Sequence, residues 1–321
     1  MKKFILASII VLIVIVAFTV FRSSQEKTPQ TADVVKIGYK KSVPSFPIFV
    51  GINEGFFKNK NIEIEPVVFE STNQMIEAVV RGDIDASAVG AVEPALAAEA
   101  VSPGNFKFYG QVQWNKDNFL DYVLVKKDST ISTVQQLKGK KIGVAPGGAS
   151  VVYTKLFLKN FLNPDEVRIE QLDNKTLIQA LGAGSIDAII GNEPLGTIAI
   201  QQGVAKVLLE RPYTDYVLYL PEITGVGLLS KKFIEQQADI AERFVEAMKE
   251  GFVYGNANPE NVKKILPSCC GVSEEVAPLI PYLGLYFDSK SINKEVLQRF
   301  ADFLFEQKIL DKKVDTGSLV Y

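Results

Sequence analysis

Two stretches in different halves of the chain read almost alike: GDIDASAVGAVEP at residues 82–94 and GSIDAIIGNEP at residues 184–194. What precedes each also runs in parallel. In the first half VVKIGY (34–39) reads as a strand, and SVPSFPIFVGINEGFF as a helix with Ser45 and Pro47 at its start and Gly55 near its end. IEIEPVVF (62–69) is a second strand. STNQMIEAVVRGD then opens on Ser71 or Thr72 as a cap and carries Met75, Ile76, Val79 and Val80 on one face, and IDASAVG closes the unit as a third strand. In the second half KKIGVAPGGAS (140–150) matches KIGYKKSVPS (36–45), VVYTKLFLKNF is helical, VRIEQL a strand, NKTLIQALGAG a helix and IDAIIG a strand. Two α/β lobes of like topology follow, each with strand ends that open into loops.

The late chain adds a strand at ITGVGLLS (223–230), a long helix from Phe233 to about Tyr254, and a last helix carrying Val296, Leu297, Phe300, Phe303 and Leu304 at helical spacing. Their simplest packing returns the chain to the first lobe. This predicts crossings near 110–116 and 220–228, with lobe 1 built from residues 34–112 and 224–321 and lobe 2 from 113–223. A length of 321 residues with 47% apolar and 22% charged side chains suits about two domains.

The N-terminus sets a destination. Lys2 and Lys3 precede FILASIIVLIVIVAFTVF at residues 4–21, a run of roughly 27 Å as a helix, close to a bilayer core. The positive end stays cytoplasmic and sends the rest outward. Residues 1–24 are thus a signal peptide or a membrane anchor. Without a good small-x-small cleavage site the reading favours an anchor in the cytoplasmic membrane, with residues 25–33 as a tether.

Composition excludes much chemistry. There is no histidine, so no Ser-His-Asp or Cys-His nucleophile and no His-based zinc site can be built. The net charge of −2, without a basic block, argues against nucleic acid. Cys269 and Cys270 are neighbours, too close for a relaxed bridge, and read as a local packing feature. No cofactor and no metal are expected.

The order IGY…PSFPIFVGINEGFFKNKNIEIEPVVFES…AVVRGDIDASAVG…LKGKKIGVAPGGAS…ALGAGSIDAIIGNEP…NPENVKKIL…FADFLFEQKIL resembles the extracytoplasmic solute-binding proteins that serve ABC importers for nitrate, taurine, aliphatic sulfonates and thiamine-pyrimidine precursors. The resemblance runs from residue 34 to the end. It implies a type II periplasmic-binding clamshell with two hinge crossings, a small solute between the lobes, a permease partner and a monomer anchored outside the cytoplasmic membrane or secreted. Two other classes stay open: an enzyme on the same fold, of thiamine-pyrimidine synthase or menaquinone-pathway lyase type, and a ligand-sensing input domain.

Strand ends and helix starts nominate the cleft. Ser42, Ser45 and Phe46 follow the first strand, and Ser71, Thr72 and Asn73 the second. Gly147, Gly148, Ala149 and Ser150 form a glycine turn that lacks the Lys-Ser/Thr ending of a nucleotide-phosphate loop. Trp114, the one tryptophan, falls at the first crossing and Thr224 at the second. Gly90 and Asn192 precede Glu93 and Glu193, which the repeat makes symmetry-related cleft candidates, with helix capping as the competing role. A glutamate on the ligand would favour a solute with a donor group. Lys40 and Lys41 could serve an anion or simply be solvated, and RGD at 81–83 reads as a helix-to-strand turn.

Overall fold

The computed structural model describes residues 31–217 and 224–321. The N-terminal apolar run, most of its tether, and residues 218–223 of the second crossing lie outside the described residues. Among those described, no helix is long and apolar enough to cross a membrane.

Among the described residues, twelve strands form two sheets. They are β1 (Asp33–Tyr39), β2 (Ile62–Val68), β3 (Ala86–Ser87), β4 (Gly90–Ala91), β5 (Phe106–Gln113), β6 (Asp121–Lys126), β7 (Lys141–Val144), β8 (Arg168–Gln171), β9 (Ala188–Asn192), β10 (Ala205–Glu210), β11 (Gly225–Ser230) and β12 (Leu285–Asp288). The first lobe holds the order β12-β5-β11-β3-β1-β2, with β4 pairing β11, and the second holds β10-β6-β9-β7-β8. In each, three parallel strands (β2-β1-β3 and β8-β7-β9) meet an antiparallel neighbour on the side of the third strand. The duplicated sentence is thus a duplicated sheet.

The repeat explains itself in register. Ile37 pairs with Ala86 as Ile142 pairs with Ala188. Asp85 accepts the Lys36 amide on its side chain at 2.8 Å and donates its own amide to the Lys36 carbonyl at 2.9 Å. Asp187 does the same to Lys141, at 2.9 and 2.8 Å. The Asp of each Ile-Asp-Ala therefore clamps the third strand to the first. Gly82 and Gly184 end their helices at φ of 69° and 73°, a left-handed turn that glycine adopts without steric cost.

Helices cover the sheets because their apolar residues fall on one side. In Thr72–Arg81, Met75, Ile76 and Val79 are buried while Gln74, Glu77 and Arg81 are exposed, and the Ser71 hydroxyl accepts the Gln74 amide to cap the start. Each fully buried large side chain of this kind contributes about 1.5–3 kcal/mol. The predicted helix from Phe233 is two helices, Lys231–Gln236 and Ala238–Ala257, because Ser230 caps the first and the chain breaks at Gln237. IDASAVG is likewise split into β3 and β4, and β5, β6, β10 and β12 escaped the sequence reading altogether.

Cys269 and Cys270 are disulfide-bonded to each other at the end of helix Pro259–Cys269. This corrects the expectation of an unbridged pair. Both sulfurs sit in the apolar core of the first lobe, where Cys269 is 3% and Cys270 0% exposed.

Candidate functional site

A cleft of about 660 Å³ opens where the carboxyl ends of the parallel strands in the two lobes face one another. The first lobe contributes Lys40, Lys41 and Ser42 after β1, Glu70, Thr72 and Asn73 after β2, and Gly90 with Ala91 in β4. The second contributes Gly147, Ala149 and Ser150 after β7, Asp173, Asn174 and Lys175 after β8, and Asn192 at the end of β9 with Glu193 following it. Trp114 and Thr224, at the two crossings, line the cleft as well. Each lobe therefore offers the same three loops.

The lobes touch across the mouth. The helix Gly148–Leu158 starts without a capping side chain of its own. Its first amide is instead taken by Asn73 of the other lobe, with Gly148 N donating to Asn73 Oδ1 at 3.1 Å. Gly147 N donates to Gln171 Oε1 at 2.8 Å. Gly148 thus stands behind the lining rather than in it.

Several polar groups at this site are buried without a protein partner. Trp114 Nε1, Tyr153 Oη and Asn192 Oδ1 all belong to cleft-lining residues, and none has a hydrogen bond. Trp114 is 7% and Tyr153 6% exposed. An indole nitrogen can only donate, and leaving a buried donor unpaired costs about 1–3 kcal/mol. Such atoms are where a bound molecule would be anchored. Around them the wall is apolar, with Val68, Phe69, Val112, Ile178 and Ile198.

Charges of both signs flank this floor. Lys40 is half-buried, and burial pulls its ammonium below the usual range while Glu70 opposes the change. Burial also pushes the Glu193 carboxyl up, against hydrogen bonds from Thr197 and Tyr122. Thr197 donates its amide at 3.1 Å and its hydroxyl at 2.9 Å to Glu193. That carboxylate is largely consumed in holding helix Leu195–Gln201.

Five of the nominated residues lie elsewhere. Ser45 is 1% exposed, and its hydroxyl donates to the Lys40 carbonyl at 2.8 Å, fixing the turn that presents Lys40 and Lys41. Phe46 is core, edge-on to Tyr286 at 4.8 Å. Ser71 caps its helix, and Gly148 meets Asn73 as described. Glu93 breaks the symmetry drawn from the repeat. Helix Val92–Val101 already contains it, whereas in the second lobe a cis Glu193–Pro194 peptide precedes the helix, so one Glu-Pro lies inside a helical turn and the other outside.

Lining residues that the sequence reading passed over include Tyr153, Asn174, Lys175, Gln179 and Gln202. A signal for two of them was present. Asp173 caps helix Asn174–Ala183 by accepting the Thr176 amide, as Ser71 caps its counterpart. The repeat that nominated Thr72 and Asn73 thereby nominates Asn174 and Lys175 too. Tyr153 sits one turn inside a helix and has no such marker. Among the described residues, no three His, Cys, Asp or Glu side chains cluster where they could hold a metal.

Against known proteins, a family model described as NMT1/THI5 like matches residues 43–262. The chain belongs to that family. Within reach of this NMT1/THI5-like chain, a Bacillus subtilis (strain 168) protein named for binding aliphatic sulfonates is 26% identical over 298 residues, covering 89% of this chain and 85% of the relative. A 4-amino-5-hydroxymethyl-2-methylpyrimidine phosphate synthase of Saccharomyces cerevisiae is 25% identical over 228 residues, covering 66% of this chain and 64% of the relative. Among solved structures, the periplasmic aliphatic sulphonate binding protein SsuA from Escherichia coli superposes with a TM-score of 0.71 at 22% identity, covering 90% of this chain and 92% of that one. The alkanesulfonate-binding SsuA from Xanthomonas axonopodis pv. citri, bound to MOPS, gives 0.72 at 19% identity, covering 91% and 99%. The fold is that of the two-lobed periplasmic-binding proteins.

Proposed function

We propose that this chain is the extracytoplasmic solute-binding component of an ABC importer, and that its cleft takes a small organic anion of the aliphatic sulfonate class. The observation that carries the reading is the set of buried, unpartnered polar atoms in a cleft lined by both lobes, Trp114 Nε1, Tyr153 Oη and Asn192 Oδ1. Lys40, Lys41 and Lys175 supply positive charge beside them, and the apolar wall at Val68, Phe69 and Ile198 suits an alkyl chain. The names of the bacterial relatives support the same class. A solute held by both lobes favours their approach, and a permease would read that state.

Some relatives are named synthases, so a role without catalysis is part of the proposal. Its support is the lack of any histidine in the chain, which removes the common general base. Attachment to the membrane through residues 4–21, delivery to a permease and a monomeric state belong to the proposal too.

Thermal unfolding of the full chain in detergent, with 1-butanesulfonate, taurine, nitrate and a pyrimidine as separate additions, tests the assignment. A ligand at about 100 times its Kd stabilises by about 2.7 kcal/mol. Butanesulfonate should raise Tm, and Trp114→Phe should weaken its binding about tenfold by removing one hydrogen bond. A Tm that moves with the pyrimidine and with no sulfonate would sink the sulfonate assignment.

A further inference from the structure

We propose that Glu93, packed beside Tyr153, is a proton-linked latch between the two lobes, its carboxyl neutral when the lobes are together and ionised when they part. Glu93 lies in the first turn of helix Val92–Val101 in the first lobe, and Tyr153 in helix Gly148–Leu158 of the second. The two helices pack against each other. Glu93 is 6% exposed and Tyr153 6%. Glu93 Oε2 and Tyr153 Oη are both buried without a side-chain partner, and the tyrosine responds electrostatically to the carboxyl and to the backbone amide of Glu93. A polar pair of this kind costs least when it carries no charge.

The surroundings leave the carboxyl little else to answer to. Helix Val92–Val101 also packs against Thr72–Arg81 and Lys294–Glu306. Those helices carry Glu77 and Arg81, and Lys294, Glu295, Arg299, Asp302 and Glu306, while Gly148–Leu158 carries Lys155. None of them is a cause of the change at Glu93, whose carboxyl is pushed up to about 7 by burial alone. On its own helix, Glu99 is occupied with the Gly104 amide. Behind Tyr153 stand Tyr213, hydrogen-bonded to Thr154 at 3.0 Å, and Asp121, which acts on Tyr213.

The sign follows from linkage. With the lobes apart and Glu93 hydrated, its carboxyl returns towards the ordinary value of 4.5. Below that value both arrangements are protonated and contact is at its most favourable. As pH rises from there to about 7 the separated state loses its proton first, so contact weakens by up to about two orders of magnitude and then levels off. Tyr153 lines the cleft and Glu93 stands behind it, so solute capture and proton uptake would favour the same arrangement. The inference does not depend on which solute the cleft takes.

The chain supplies its own reporter. Trp114 is the single tryptophan and lines the same cleft. Its emission and its quenching by iodide, measured on the solute-free full chain in detergent between pH 5 and 8.5 with far-ultraviolet circular dichroism as a fold control, read lobe separation. There is no histidine to titrate in that range. Asp121, pushed up to about 6, and Glu193 are the competing carboxyls. The latch predicts a red shift and greater quenching as pH rises towards 7, absent in Glu93→Gln, which stays shielded throughout. A wild-type profile without a transition, or a transition that survives unchanged in Glu93→Gln, overturns the proposal. Because no solute is added, this outcome is independent of the sulfonate assignment.

Discussion

Asp121 shows how much one side chain can organise without touching the cleft. It is 0% exposed, and its carboxylate accepts the Tyr213 amide at 2.6 Å, the Thr214 amide at 3.1 Å and the Thr214 hydroxyl at 2.7 Å. Helix Pro212–Tyr216, which ends the second lobe before the chain crosses back, is therefore hung from the first residue of β6. Asp121→Ala leaves those donors buried and unpaired, and denaturant unfolding should show a loss of about 2–3 kcal/mol. A loss below about 0.5 kcal/mol would mean that water replaces the carboxylate there. Glu193 makes the opposite point, since a residue nominated for ligand spends its oxygens on Thr197.

At the scale of elements, the duplicated unit rests on one close approach in each lobe. A methyl placed on Gly38 would lie 2.6 Å from Ile84 Cδ1 and 2.9 Å from Phe69, and one on Gly143 would lie 2.4 Å from Leu177 and 2.6 Å from Ile186. The isoleucine of each Ile-Asp-Ala thus fills the space above the glycine of the first strand. Gly38→Ala and Gly143→Ala should each cost about 1–3 kcal/mol by overpacking. Adding Ile84→Val to the first should recover part of the loss in thermal unfolding, and strict additivity would refute the contact. These pairings were legible because Gly-x-Ile-Asp recurs with its Lys-Ile-Gly partner. The strands β5, β6, β10 and β12 were not, because they lie outside the repeat and are defined only by neighbours far along the chain. The cleft divides in the same way. Thr72, Asn73, Ala149 and Ser150 stand at helix starts that sequence marks, whereas Tyr153 enters only through the rotation of its helix. Ser45 and Phe46 were drawn inward because the turn after β1 leads into helix Phe46–Asn53, whose first residue packs against Tyr286.

For the molecule as a whole, the Asn73–Gly148 hydrogen bond is a polar clasp at the mouth of the cleft, with Asn73 half-buried. Asn73→Ala should leave the stability of either lobe within about 1 kcal/mol while raising amide hydrogen exchange at the start of helix Gly148–Leu158. Unchanged exchange there would show that the lobes are held by other contacts alone. The order β12-β5-β11-β3-β1-β2 carries a further consequence. The strand inserted between β3 and β5 is β11, which the ribosome delivers only after every strand of the second lobe has been made. A nascent chain ending at residue 217 can complete its later lobe but not its earlier one, whose β3 and β5 still wait for the strand between them. Pairings so distant along the chain form slowly. Synthesis order thus keeps the leading lobe unfinished until residue 230 of the 321 has been made, so the first-made strands are the ones that stay open longest.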